Sequence, residues 1–108
     1  MTKYACGRRF EYKVRDRLVE LGFFVVRAAG SKGPVDLIAF KKYVPPLLIQ
    51  CKKAGILTKN EKMELISLAR QISAAVILAK DKNGVVFDVL WNPSSVDLSK
   101  SLNTRKNI

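Results

Sequence analysis

Histidine is missing from the chain altogether, and only two of its 108 residues are cysteine. Cys6 and Cys51 stand far apart with no CxxC spacing, so the usual zinc ligand sets cannot be assembled. The lack of imidazole also removes the serine and cysteine nucleophile mechanisms that use histidine as their base. No stretch approaches the roughly 20 apolar residues of a membrane helix, and the segment from Met1 to Arg9 has no apolar run of the secretory kind. The expectation is an intracellular, cytoplasmic protein with reduced thiols, no membrane partner and no small-molecule cofactor.

Acidic side chains are scarce too: 9 Asp and Glu face 20 Lys and Arg, a formal net charge of +11. A polyanion is the natural partner, because such a charge density releases condensed counterions from nucleic acid and steers association with it. A charge excess serving only solubility is the plain alternative. The length and the 48% hydrophobic content fit one domain with a single core. Residues 1–92 are expected to form it, and residues 93–108 to be a polar, loosely ordered tail.

Apolar Phe10, Val14, Leu18 and Leu21 recur at helical spacing among basic residues, which predicts an amphipathic helix over residues 7–21. Gly22 closes it, and the run Phe23-Phe24-Val25-Val26 reads as a buried strand. After a turn-rich loop at 29–34, strands are expected at 35–40 and 47–53, joined as an antiparallel hairpin with Pro45 and Pro46 at the start of the second. Thr58 followed by Glu61 forms a capping-box pattern ahead of a second helix, whose apolar side is Met63, Ile66, Leu68, Ala69 and Ile72. Strands at 74–79 and 85–90 flank an Asp81-Lys82-Asn83-Gly84 turn. The order α, β, β, β, α, β, β describes an α/β fold, a central mixed β-sheet flanked by helices.

Two features inside the strands are costly unless used. Asp36 precedes the apolar run Leu37-Ile38-Ala39-Phe40, and a carboxylate near a sheet interior must be paired, hydrogen-bonded or bound to a metal. Gln50 and Lys52 stand two apart in a strand, so they share one face while Ile49 and Cys51 take the other. If the strands are neighbours, Asp36 joins that pair in an oxygen-rich pocket with an ammonium beside it. Such a pocket suits Mg²⁺ or Mn²⁺, whose retained waters can serve phosphodiester hydrolysis.

With Pro34-Val35-Asp36 and Gln50-Cys51-Lys52 as two motif halves, the chain resembles the PD-(D/E)XK nuclease superfamily, with its restriction-endonuclease-like core. More narrowly it is similar to the archaeal-type Holliday-junction resolvases. That similarity runs through Gly7-Arg8-Arg9-Phe10-Glu11, through the segment from Gly22 to Ser31, and through Val35-Asp36-Leu37-Ile38-Ala39, over roughly residues 7 to 80. The resemblance implies a homodimeric, Mg²⁺-dependent endonuclease, with Mn²⁺ able to substitute, acting on four-way or otherwise branched DNA. It implies that Asp36 holds the metal, that Glu11 binds it or positions its water, and that Gln50 stands where the family carries an acidic ligand. The Cys51 carbonyl would complete the shell. Lys52 would orient the attacking water or stabilise charge on the phosphate, and Ser31 would help position the scissile phosphate. Arg8, Arg9, Arg27, Lys32, Lys53 and Lys59 are the expected DNA contacts. The apolar face of the second helix and the last strand are candidates for the dimer interface, though core packing explains the same residues equally well.

Plainer readings stand beside these. Glu11 could pair with Arg15 one helical turn on, Asp36 could cap a turn, Ser31 could belong to an ordinary loop, the basic residues could be solvated charge, and Cys51 could be a small core residue. The departure at Gln50 leaves three explanations: a tolerated variant of the motif, a protein that binds without cutting, or a substitution that traps an inactive enzyme. A restriction or repair endonuclease and a non-catalytic DNA-binding module are the rival functions.

Overall fold

The first helix, α1 (Lys3–Glu20), buries the stripe foreseen from its spacing: Phe10, Val14 and Leu18 all lie in the core. The computed structural model describes residues 3–28 and 33–104, with side chains from Gly7 onward. Gly22 turns the chain out of α1 with φ of 93°, a left-handed value that favours glycine. The chain then enters β1 (Phe24–Arg27).

Next come β2 (Leu37–Lys41), β3 (Val44–Cys51), α2 (Lys59–Ile72), β4 (Ala75–Asp81), β5 (Val85–Trp91) and a short α3 (Leu98–Leu102). The five strands form one sheet in sequence order, β1-β2-β3-β4-β5. Only β3 and β4 run parallel, because α2 carries the chain across between them; the other neighbours are antiparallel. The expected mixed sheet flanked by helices is therefore present.

Several local expectations need correction. β1 is an edge strand and not a buried one: Phe24 is 70% exposed, since it lies on the side of the sheet away from α1, where α2 does not reach it. Pro45 and Pro46 lie inside β3 and do not mark its start. They are tolerated because the β2 register shifts between Ala39 and Lys41, and because pairing with β4 begins only at Leu47. In α2 the residues fully buried are Leu65 and Ala69, whereas Met63, Leu68 and Ile72 stay exposed. The C-terminal segment is anchored as far as Thr104: Leu98 and Leu102 sit in the core, and Asn103 bonds both the N–H and the carbonyl of Phe87, each at 2.9 Å. Two leucines four apart supply an apolar stripe that the polar composition of the segment concealed.

The capping box foreseen at α2 is formed, with the Thr58 hydroxyl accepting from Glu61 N–H and the Glu61 carboxylate accepting from Thr58 N–H. Ser73 closes the helix in the left-handed region, donating its N–H to Ala69. Apolar packing divides by sheet face. One face joins α1 and α3 to Leu37, Ala39, Leu47, Ile49, Ala75, Ile77, Ala79 and Phe87; the other joins α2 to Leu48 and Val76.

Candidate active site

Antiparallel pairing of β2 with β3 sets Leu37 opposite Ile49, so one step further Asp36 comes level with Gln50. Backbone bonds extend the ladder past the strand end: Asp36 N–H donates to Ile49 O, and Ala28 N–H to Asp36 O, each at 2.9 Å. The Asp36 side chain is fixed as well, because its Oδ2 accepts from the Cys51 N–H at 2.7 Å. Two neighbouring strands thereby hold the carboxylate and the amide in one place, as their sequence positions implied.

From across the sheet end, α1 contributes Glu11, one residue beyond the buried Phe10. Glu11, Asp36, Gln50 and Cys51 line a single cavity of about 240 Å³, together with Gly7, Arg8 and Arg27. Arg27 Nε reaches Glu11 Oε1 at 2.7 Å. The pairing of Glu11 with Arg15 is thus not what forms; Arg15 bridges to Asp16 at 3.1 Å.

Asp36 is pushed above the ordinary carboxylate range, first by burial, against the lowering effect of the Cys51 N–H; Glu11 and Glu61 raise it further and Lys52 lowers it. Burial, then Asp36 and Glu11, drive the Cys51 thiol far upward, so it stays protonated. The free Cys51 side chain packs against the α1-side core, leaving its backbone as the part that can serve the site.

Gln50 is 7% exposed, and its Oε1 has no hydrogen-bond partner among the described residues. Burying an amide oxygen unsatisfied costs about 1–3 kcal/mol, so the position calls for a donor or a cation. Among the described residues no cluster of three or more His, Cys, Asp or Glu could hold a metal; the cavity offers two carboxylates, Glu11 and Asp36, and the Gln50 amide. Two carboxylates, an orphaned amide oxygen and the Cys51 backbone at one cavity nonetheless make an oxygen donor set that fits a hard divalent cation.

Lys52 lies just past β3, two residues beyond Gln50, and is not one of the cavity-lining residues. Its Nζ bonds Glu61 Oε2 at 3.1 Å, a partner that sequence reasoning had assigned only to the helix cap. Of the basic residues, Arg8 and Arg27 line the cavity, while Arg9, Lys53 and Lys59 are exposed. Ser31 and Lys32 lie outside the described residues. Tyr12 was not foreseen: the Arg15 and Arg27 guanidinium groups approach its ring to 4.8 and 5.1 Å, and only the first contact, three residues apart on α1, has a local spacing that could have suggested it.

A model of the archaeal Holliday junction resolvase (Hjc) family matches residues 2–105. The chain is 37% identical over 86 residues to the crossover junction endodeoxyribonuclease Hjc of Methanocaldococcus jannaschii, a match covering 76% of this chain and 63% of that protein. The match therefore spans less than two thirds of the relative's length. Its fold is similar to that of the Archaeoglobus fulgidus Hjc, a Holliday junction resolvase, with a TM-score of 0.64 and 26% identity over 79% of this chain and 71% of that one. The sheet is accordingly of the restriction-endonuclease-like type.

Proposed function

The chain belongs to the archaeal Holliday junction resolvase family, and on that premise we propose that it is a structure-selective endonuclease that hydrolyses phosphodiesters in four-way DNA junctions. The observation that carries this reading is the convergence of Glu11, Asp36 and the orphaned Gln50 oxygen on one cavity that Arg8 and Arg27 also line. Glu11, Asp36, Gln50 Oε1 and the Cys51 carbonyl would hold Mg²⁺, with Mn²⁺ as a substitute. A divalent cation there supplies Lewis-acid activation of the phosphate and of the attacking water.

The chain's own groups do the rest. Arg8 and Arg27 at the cavity, with Arg9, Lys53 and Lys59 on the surface, bind the phosphate backbone and set its register without reading sequence. Ser31 is assigned to positioning the scissile phosphate and Lys32 to contact with the DNA backbone. Lys52 orients the attacking water and offsets the charge that grows on the phosphate. A homodimer puts two such sites on the two strands to be cut, related by a two-fold axis. The exposed Met63, Leu68 and Ile72 of α2, with the last strand beside them, support that face as the contact. The intracellular, DNA-associated setting follows from the substrate; among the described residues no helix is long and apolar enough to cross a membrane.

The test is cleavage of a panel of four-way, flap, nicked and linear duplex DNAs with Mg²⁺ or Mn²⁺, comparing the parent with Lys52→Ala. Junction cleavage that disappears in Lys52→Ala is expected. Linear duplex cut as fast as the junction would instead indicate a restriction or repair endonuclease. The neutral Gln50 favours a second reading, a protein that grips branched DNA without cutting it; that reading prevails if the parent binds junctions but only Gln50→Glu cleaves them.

A further inference from the structure

The Lys52 backbone is tightly held where β3 ends. Its N–H donates to Ala79 O at 2.9 Å and its carbonyl accepts from Gly55 N–H at 2.7 Å. The loop folds back through Gly55, whose φ is 76° and where a Cβ would come within 3.1 Å of the Lys80 side chain. This tight return brings the N-terminus of α2 beside the lysine. A four-carbon stem with many rotamers would still leave the ammonium wandering, and Glu61 removes that freedom.

Glu61 uses its two oxygens for different tasks. Oε1 accepts from the Thr58 N–H at 3.2 Å, while Glu61 N–H donates to Thr58 Oγ1 at 3.1 Å, so the carboxylate is locked into the helix cap. Oε2 lies 3.1 Å from Lys52 Nζ. A cap of this kind needs only the first contact. The second joins a rigid helix end to the one lysine that the site uses, at a half-exposed position where an ion pair adds little stability. An ammonium carries three donors; one is spent on Glu61, which leaves two for water and phosphate. The charges of both Lys52 and Glu61 act on Asp36, so the pair belongs to the electrostatics of the site.

We propose that Glu61 is the positioning residue for Lys52, holding its ammonium at the open end of β3 from a carboxylate fixed in the α2 cap. The proposal rests on the nuclease reading above. It assigns Glu61 no contact with metal or DNA.

The experiment compares Glu61→Gln, which keeps a capping acceptor but loses the charge, with Thr58→Ala, which weakens the cap but keeps the carboxylate. Three quantities are measured on the full chain: the single-turnover rate on saturating junction with Mg²⁺, junction affinity in Ca²⁺, and the ¹⁵N-edited NMR signal of the Lys52 ammonium, assigned by its loss in Lys52→Ala. Glu61→Gln is expected to slow cleavage about tenfold through misplacement of the lysine, to keep affinity and thermal midpoint, and to broaden or shift the ammonium signal. Thr58→Ala should lower the midpoint and keep both rate and signal. An unchanged signal in Glu61→Gln, or an equal loss of rate in the two variants, overturns the proposal. If the parent cuts no substrate, the nuclease reading fails on its own, and the ammonium signal still decides whether Glu61 holds Lys52.

Discussion

The two faces of the sheet are built to different ends. Beneath α1 and α3 the core is continuous, from Phe10, Val14 and Leu18 across β2, β3, β4 and β5 to Leu98 and Leu102. On the α2 side the buried cluster is smaller, the β1 edge is left uncovered, and the strand face that carries Leu48 ends in Gln50 and Lys52. One face gathers what holds the fold. The other accepts costs, in a buried amide oxygen without a partner among the described residues and a raised carboxylate, that call for a donor or a cation.

Breaking each face should therefore fail differently. Lys52→Ala is expected to reduce junction cleavage by a factor of about 10² or more, while junction affinity and the thermal midpoint stay near the parent's; a loss of affinity matching the loss of rate would make Lys52 a mere DNA contact. Leu18→Ala, on the opposite face, should destabilise the chain by about 2–5 kcal/mol, read by urea unfolding, with the rate per folded molecule unchanged.

Asp36→Asn lies between these extremes. The Asp36 carboxyl is held above its ordinary value chiefly by burial. The folded state therefore binds that proton more tightly than the unfolded chain, and stability falls as pH rises from the unfolded value to the folded one. Above that window the buried charge is a standing penalty. Asn keeps an acceptor for the Cys51 N–H and removes the charge, so at neutral pH Asp36→Asn should melt at a higher temperature than the parent while losing calorimetric Mg²⁺ binding. A lower midpoint would mean that the carboxylate is compensated by contacts other than the Cys51 bond.

These contrasts explain how much of the molecule could be read in its sequence. Periodicity disclosed α1, because Phe10, Val14 and Leu18 repeat at the helical spacing and nothing competes with that stripe. Strand alternation put Asp36 with Gln50, since a register that buries Leu37 opposite Ile49 leaves no other pairing. Periodicity failed where burial depends on what lies above a face. Phe24 and Val26 are as apolar as a core strand, yet α2 covers β3 and β4 and stops short of β1. In the same way α2 exposes Met63, Leu68 and Ile72 and buries Leu65. The ion pairs Glu11 with Arg27 and Lys52 with Glu61 join residues 16 and 9 apart in the chain, and no local spacing rule encodes such contacts. Glu61 was read for its cap because capping is a local rule; its second oxygen answers to tertiary structure.

The uncovered edge gives the smallest expected effect and the sharpest check on the difference between the faces. Phe24 is 70% exposed and Val26 41%. If that side of β1 contributes nothing to folding, Phe24→Ser should change stability by no more than about 0.5 kcal/mol, even though a phenylalanine of the opposite face, such as Phe87, should cost about 3–5 kcal/mol when cut to alanine. Urea unfolding at two protein concentrations measures both. A larger loss for Phe24→Ser that shrinks on dilution would mean that β1 is covered after all, by a second copy of the chain, because dilution removes an intermolecular contact from the parent and leaves the variant unchanged.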